Sequence, residues 1–311
     1  MRQASLGSTG LMVSRLGLGT DTFHTGGITL GQITDIVLRA WELGINFVDT
    51  DRSYDVFPAL AAALPHMERS RLVLATKTYE KTRQGALRDV SHALETLGTD
   101  YVDLFLLHGV DSLDEYDAFA GAFAGLQEAK AKGWVRHIGL STHAVHVVTA
   151  MADHPAIEGV LTVLNVTGKN MHRVRGGGVE ARSRGWVRRV GEATHTLPLM
   201  RAVAAHPAIR AVRGVLSPGS GRSQGIREEM ERAIRRCYEA GQGIYVMKPF
   251  ARGRLFDDAN RDRPLTPEQV RRGLAYLYQF PFIHSVVPGM RSVGQVEQNV
   301  AIVEELLEEE E

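Results

Sequence analysis

The sequence predicts an α/β fold, a closed (β/α)8 TIM barrel, on three observations. Eight short apolar runs rich in β-branched residues alternate with longer amphipathic stretches, the order that builds βα units around a parallel sheet. The 311 residues are 44% hydrophobic and 23% charged, enough apolar material for one large core. No G-x-G-x-x-G follows the first apolar run, so an open dinucleotide-binding sheet ranks second to a barrel.

Taken in order, a strand at 15–19 leads to a helix over 30–43, which Gly44 closes. Strands at 46–49 and 72–76 follow, then a helix over 85–97 ended by Gly98. A strand at 102–107 precedes a helix over 113–132, ended by Gly133. Strands at 135–140 and 160–164 flank a helix over 143–153, and a helix over 227–240, closed by Gly241, leads to a strand at 244–247. Thr266-Pro267-Glu268 opens the next helix, 266–278, with an N-cap, a first-turn proline and an acid. The last strand, 284–287, hands over to a helix over 292–307.

One stretch repeats. Gly133-Trp134-Val135-Arg136 returns as Gly185-Trp186-Val187-Arg188, and His154-Pro155-Ala156-Ile157 as His206-Pro207-Ala208-Ile209. Both pairs are offset by 52 (185 against 133, 206 against 154), and Val163-Leu164 meets Val215-Leu216 in the same register. A β-α-β unit at about 128–174 is thus duplicated in 180–226. Either the barrel grows to ten strands or it keeps eight and extrudes residues 166–226. Ile138 and Leu140 fall on the strand face that meets the helices, and Leu140 is replaced by Glu192, Leu161 by Arg213, in the second copy. Those changes favour one barrel domain, 1–311, carrying 166–226 as an internally duplicated insertion. It enters after a strand's C-terminal end, where it would serve as a lid or as a tolerated contact surface.

Lysine plus arginine and aspartate plus glutamate number 36 each, so no overall field draws the chain to nucleic acid or an anionic membrane. No apolar run approaches the roughly 20 residues of a membrane helix, and the N-terminal residues lack the apolar centre of a signal peptide. A single cysteine, Cys237, rules out an intramolecular disulfide and fits a reducing, cytoplasmic setting. The 12 histidines form no H-E-x-x-H or other ligand spacing, so no metal is expected. The sequence leaves open whether the chain is a monomer or a homo-oligomer.

Neighbouring strand ends present Asp49, with Tyr54 in the loop beyond it, then Lys77, then His108. The segments that carry them, Gly44-Ile45-Asn46-Phe47-Val48-Asp49-Thr50 with Ser53-Tyr54, Ala75-Thr76-Lys77 and Asp103-Leu104-Phe105-Leu106-Leu107-His108, resemble the tetrad motifs of the aldo-keto reductases. Supporting matches are Val13-Ser14-Arg15-Leu16-Gly17-Leu18-Gly19-Thr20, Val135-Arg136-His137-Ile138-Gly139-Leu140-Ser141 and Val287-Pro288-Gly289-Met290-Arg291-Ser292. The resemblance covers the chain outside the insertion, and the motifs stand in the family's order.

It implies an oxidoreductase that transfers a hydride between a nicotinamide cofactor and an aldehyde or ketone. Reducing a carbonyl requires a proton at oxygen, and Tyr54 would deliver it. An ammonium at Lys77 would ease that transfer by favouring the phenolate, Asp49 would pair with Lys77, and His108 would orient the substrate oxygen. By the same resemblance Ser141, Thr142 and Asn165 would hold the nicotinamide, Pro249, Phe250 and Arg252 would approach the pyrophosphate, and Gly289, Arg291, Gln295 and Asn299 would surround the adenosine. The implied cofactor is NADP(H), with NAD(H) as the alternative, and Arg291 is the local partner for a 2′-phosphate. Ser141-Thr142 stands where serine-asparagine is common in the family, and Asp55 follows Tyr54 where glycine is common. The competing reading is a barrel that binds cofactor, turns over weakly or not at all, and serves as a regulatory subunit.

Overall fold

The computed structural model describes residues 1–25, 27–110, 117–142, 159–162, 211–214, 238, 243–247, 249–250 and 264–309. The chain opens with a hairpin of β1 (Gln3–Ser5) and β2 (Met12–Ser14), which pair antiparallel. Nine strands then line up side by side, all parallel: β3 (Leu18–Gly19), β4 (Phe47–Asp49), β5 (Val73–Thr78), β6 (Val102–His108), β7 (Val135–Thr142), β8 (Gly159–Thr162), β9 (Ala211–Gly214), β10 (Gly243–Met247) and β11 (Ser285–Val287).

The two ends of this sheet meet. Leu16 bridges to Val286 and Gly19 to Gly289, and the Gly17 N–H donates to the Val286 carbonyl at 2.8 Å. A Cβ on Gly17 would lie 2.6 Å from Val287 Cγ1 and 3.0 Å from the Phe47 carbonyl oxygen, so the seam closes only around a glycine.

Period-two alternation divides the apolar residues into two cores. Phe47, Val73, Ala75, Leu104, Leu106, Tyr245 and Val287 pack together inside the ring, where Leu6, Leu11 and Val13 of the hairpin segment join them. The alternate residues Val48, Leu74, Phe105, Leu107, Ile138, Leu140, Val246 and Val286 pack outward against the helices. Those helices are α1 (Leu30–Glu42), α2 (Phe57–Ala63), α3 (Arg83–Leu97), α4 (Ala120–Ala131), α5 (Pro267–Tyr278) and α6 (Val293–Glu308). Their ends follow local chemistry: Thr29 and Thr266 form capping boxes with Gln32 and Gln269, while Thr82 and Ser292 cap α3 and α6. Gly44, Gly98 and Gly133 turn the chain at positive φ.

The eight-stranded expectation differs from the sheet at one place. Ala211–Gly214, inside the stretch read as an extruded insertion, is a sheet strand that pairs with both β8 and β10. Its Cα partners on β8 are Val160 with Val212 and Leu161 with Arg213. Backbone hydrogen bonding does not depend on side-chain polarity, so the Leu-to-Arg change that argued against a sheet strand did not prevent one. The rest of 166–226, the helices expected at 143–153 and 227–240 (apart from Tyr238), and Cys237 lie outside the described residues. Among the described residues, no helix is long and apolar enough to cross a membrane.

Candidate active site

The alternation that fills the ring with Phe47, with Val73 and Ala75, and with Leu104 and Leu106 continues upward to Asp49, Lys77 and His108. Three polar side chains therefore cap an apolar interior at the C-terminal ends of β4, β5 and β6, the end where barrel enzymes build their sites. Lys77 is almost fully buried, at 1% exposure, and its Nζ donates to Asp49 Oδ1 at 2.5 Å and to the Thr50 carbonyl at 2.7 Å. A carboxylate and a carbonyl thus replace the water that a buried ammonium loses.

Tyr54 closes a 3-10 turn, Arg52–Tyr54, that Asp51 caps by accepting from Ser53 N at 2.8 Å and Ser53 Oγ at 2.6 Å. Asp55 ends the turn at φ 55, a left-handed conformation that explains why glycine suits this position and Asp tolerates it. The half-buried Tyr54 ring lies 5.4 Å from Lys77 Nζ, measured to its centroid, and stacks on His24 at 5.8 Å.

His108 is bound through a residue that the sequence did not single out. Its Nδ1 lies 2.7 Å from Oδ2 of Asp51, a carboxylate that is itself buried. Burial pushes the Asp51 carboxyl up, but the His108 hydrogen bond and charge, the Lys77 charge and the Ser53 hydrogen bond together hold it below the usual carboxylate range. Tyr79, just beyond β5, lies on the His108 ring at 4.2 Å between centroids, with its hydroxyl 3.4 Å from Nε2. The only signal for Asp51 is its spacing two residues beyond Asp49.

Asp51, Lys77 and Tyr79 line a cleft of about 930 Å³ together with Arg52, Pro58 and His92. Asp89, buried on α3, fixes its wall by hydrogen bonding to both Arg52 and Thr78 Oγ1.

Several of the expected cofactor residues follow the C-terminal ends of β7, β10 and β11. Ser141 is the strand partner of His108, and Thr142 ends β7. Pro249 is buried and Phe250 half-buried beyond β10. Gly289 is exposed beside the seam, where a Cβ would meet Thr22 Oγ1 at 2.4 Å. Arg291 is exposed before α6, its backbone N–H donating to Gln295 Oε1 at 2.7 Å, and Asn299 lies buried one turn further along that helix. A helix N-terminus and an exposed arginine beside it suit a phosphate-bearing cofactor. Asn165 and Arg252 lie outside the described residues.

The model of the Aldo/keto reductase family matches residues 15–170. An uncharacterized oxidoreductase, YqkF of Bacillus subtilis, is 24% identical over 327 residues, spanning 100% of this chain and 94% of that protein. The NADH-specific methylglyoxal reductase of Escherichia coli is 28% identical over 167 residues, 45% of this chain and about half, 51%, of that protein. Among solved structures, the aldo-keto reductase AKR11C1 from Bacillus halodurans superposes with a TM-score of 0.64 at 22% identity, covering 98% of this chain and 91% of that one.

Proposed function

The chain belongs to the aldo-keto reductase family, and from that premise we propose how its own residues carry the reaction. It is an NAD(P)H-dependent oxidoreductase of carbonyl compounds. The bound nicotinamide supplies the hydride that reduces the carbonyl carbon. Tyr54 delivers the proton to the carbonyl oxygen. Lys77 favours loss of that proton by lying beside the phenol as an ammonium, Asp49 keeps Lys77 charged in a buried place, and His108 holds the oxygen for attack.

The observation that carries these assignments is the buried Lys77–Asp49 pair, with Nζ 5.4 Å from the centre of the Tyr54 ring. In Tyr54→Phe, kcat for aldehyde reduction should fall by about 10²–10⁴, while NADPH binding, followed by cofactor fluorescence, stays intact. Unchanged turnover in that variant would remove Tyr54 as the donor.

Ser141, Thr142 and Asn165 are assigned to the nicotinamide, Pro249, Phe250 and Arg252 to the pyrophosphate, and Gly289, Arg291, Gln295 and Asn299 to the adenosine end. NADP(H) is the cofactor of this reading, with Arg291 on the 2′-phosphate, and NAD(H) is the alternative. The substrate class is a small aldehyde or ketone, for which methylglyoxal is a natural first probe. A cytoplasmic setting is supported by the single cysteine.

The chain is further read as one barrel domain in which 180–226 duplicates about 128–174. In support, β9 lies 52 residues beyond β8 (211 against 159) and pairs with it in that same register.

A further inference from the structure

We propose that Asp51 is a positioning residue that keeps His108 in the imidazolium form, so that the carbonyl oxygen is received by a cationic N–H donor. This rests on the assignment of His108 to the carbonyl oxygen.

An ionised carboxylate can only accept hydrogen bonds, so at 2.7 Å from Asp51 Oδ2 the Nδ1 of His108 carries a hydrogen. Asp51 is ionised because Ser53 N, Ser53 Oγ and His108 all approach it as donors and Lys77 adds a positive charge. With one hydrogen committed to Nδ1, a neutral ring has a bare Nε2, which accepts. That state suits the Tyr79 hydroxyl, 3.4 Å away, but it sets a lone pair against a carbonyl oxygen. Only a ring protonated at both nitrogens can bind Asp51 and donate to the substrate together.

The groups around the ring are consistent with that charge. From the loop after β4 comes Asp51, whose neighbour Arg52 is engaged by Asp89. From β5 and its extension come Lys77, already neutralised by Asp49, and Tyr79, stacked on the ring. On β7 the residue level with His108 is the uncharged Ser141. The site thus holds two cation–carboxylate pairs, Lys77 with Asp49 and His108 with Asp51.

No proton leaves His108 in the reaction. As hydride forms the new C–H bond, the carbonyl π pair moves to oxygen, the Nε2–H stabilises the growing charge, and Tyr54 provides the proton that completes the alcohol. Substrate binding displaces the Tyr79 hydroxyl from Nε2.

The test compares the full-length wild type with Asp51→Asn, which removes the charge and leaves a single carbonyl oxygen where Oδ1 accepts from Ser53 and Oδ2 faces His108 Nδ1. Imidazole resonances of ¹⁵N-labelled protein, assigned with His108→Gln, give the pH at which His108 loses its second proton. kcat/KM for an aldehyde with NADPH is followed over the same pH range. Asp51→Asn should lower the His108 titration by about 1–3 pH units, the span of a lost opposite charge, and move the alkaline limb of kcat/KM with it, about tenfold in rate per unit. Tyr54 also loses its proton on the alkaline side, and the resonance titration identifies which group sets the limb. A His108 titration that ignores the substitution overturns the proposal, and so does one that moves without the rate profile. If His108→Gln retains full activity, the assignment of His108 itself fails; if His108→Gln is inactive while Asp51→Asn changes neither curve, only the role of Asp51 fails. Should Asp51→Asn not fold, Asp51→Ser, which keeps a capping oxygen for Ser53, is read in the same way.

Discussion

Asp49, Tyr54, Lys77 and His108 come together because three of them occupy inward positions at adjoining strand ends, and strand periodicity makes such positions legible before any coordinates exist. Asp51 escapes that logic. It lies in a loop, where no period applies, and its two tasks, capping the turn that carries Tyr54 and pairing with His108, show only in three dimensions. Its titration gives a test by stability. The folded-state pKa of Asp51 is depressed, so its contribution is fully present above the ordinary carboxylate range near about 4 and is lost as pH falls through the depressed value. The difference in unfolding free energy between wild type and Asp51→Asn, from urea titrations, should therefore be largest between about pH 4 and the pH at which His108 loses its second proton, and shrink in more acidic solution. A gap that stays constant on acidification contradicts the assignment of an ionised, stabilising Asp51.

Among the elements, those with many residues and marked ends were readable and the short ones were not. α1, α3, α5 and α6 span 13, 15, 12 and 16 residues and begin at Thr29, Thr82, Thr266 and Ser292, so both period and cap speak for them. The β1–β2 hairpin has two strands of 3 residues, and α2 has 7, too few for a period to emerge. Packing between helices is equally hidden. On α4, a Cβ at Gly125 would lie 2.6 Å from the Arg83 carbonyl oxygen at the start of α3 and 3.1 Å from Ala86 Cβ. The first contact is with backbone, which cannot rotate away. Gly125→Ala gains about 1 kcal/mol of helix propensity and incurs about 1–3 kcal/mol of overpacking. The net expectation is a loss of up to about 2 kcal/mol in urea unfolding, with the cleft wall at Asp89 strained as α3 shifts. A variant more stable than wild type would mean that α3 and α4 separate freely.

At the scale of the molecule, the ring and the proposed duplication are one problem. Eight strands were legible from alternation, and the repeat from its offset, but sequence alone could not say whether a copied strand joins a sheet, since pairing is made by backbone and any strand of suitable length and twist can supply it. β9 pairs with β8 at the offset of the repeat itself, Val160 with Val212 and Leu161 with Arg213, so under the proposed duplication the copy would lie beside its template and offer β10 an edge like the one β8 would present. Excising one repeat length, residues 175–226, should then return the β8 edge to β10. The side chains proposed as catalytic stand on β4, β5, β6 and the loop after β4, and the seam is made by residues 15–19 with 286–289, all remote in sequence from the excision. The shortened chain is expected to fold cooperatively, to bind NADPH and to retain the Tyr54-dependent reduction of aldehydes. If it unfolds, β9 is a required member of the ring; if it folds and loses only cofactor binding, the second copy supplies contacts to the nicotinamide end that the first copy does not.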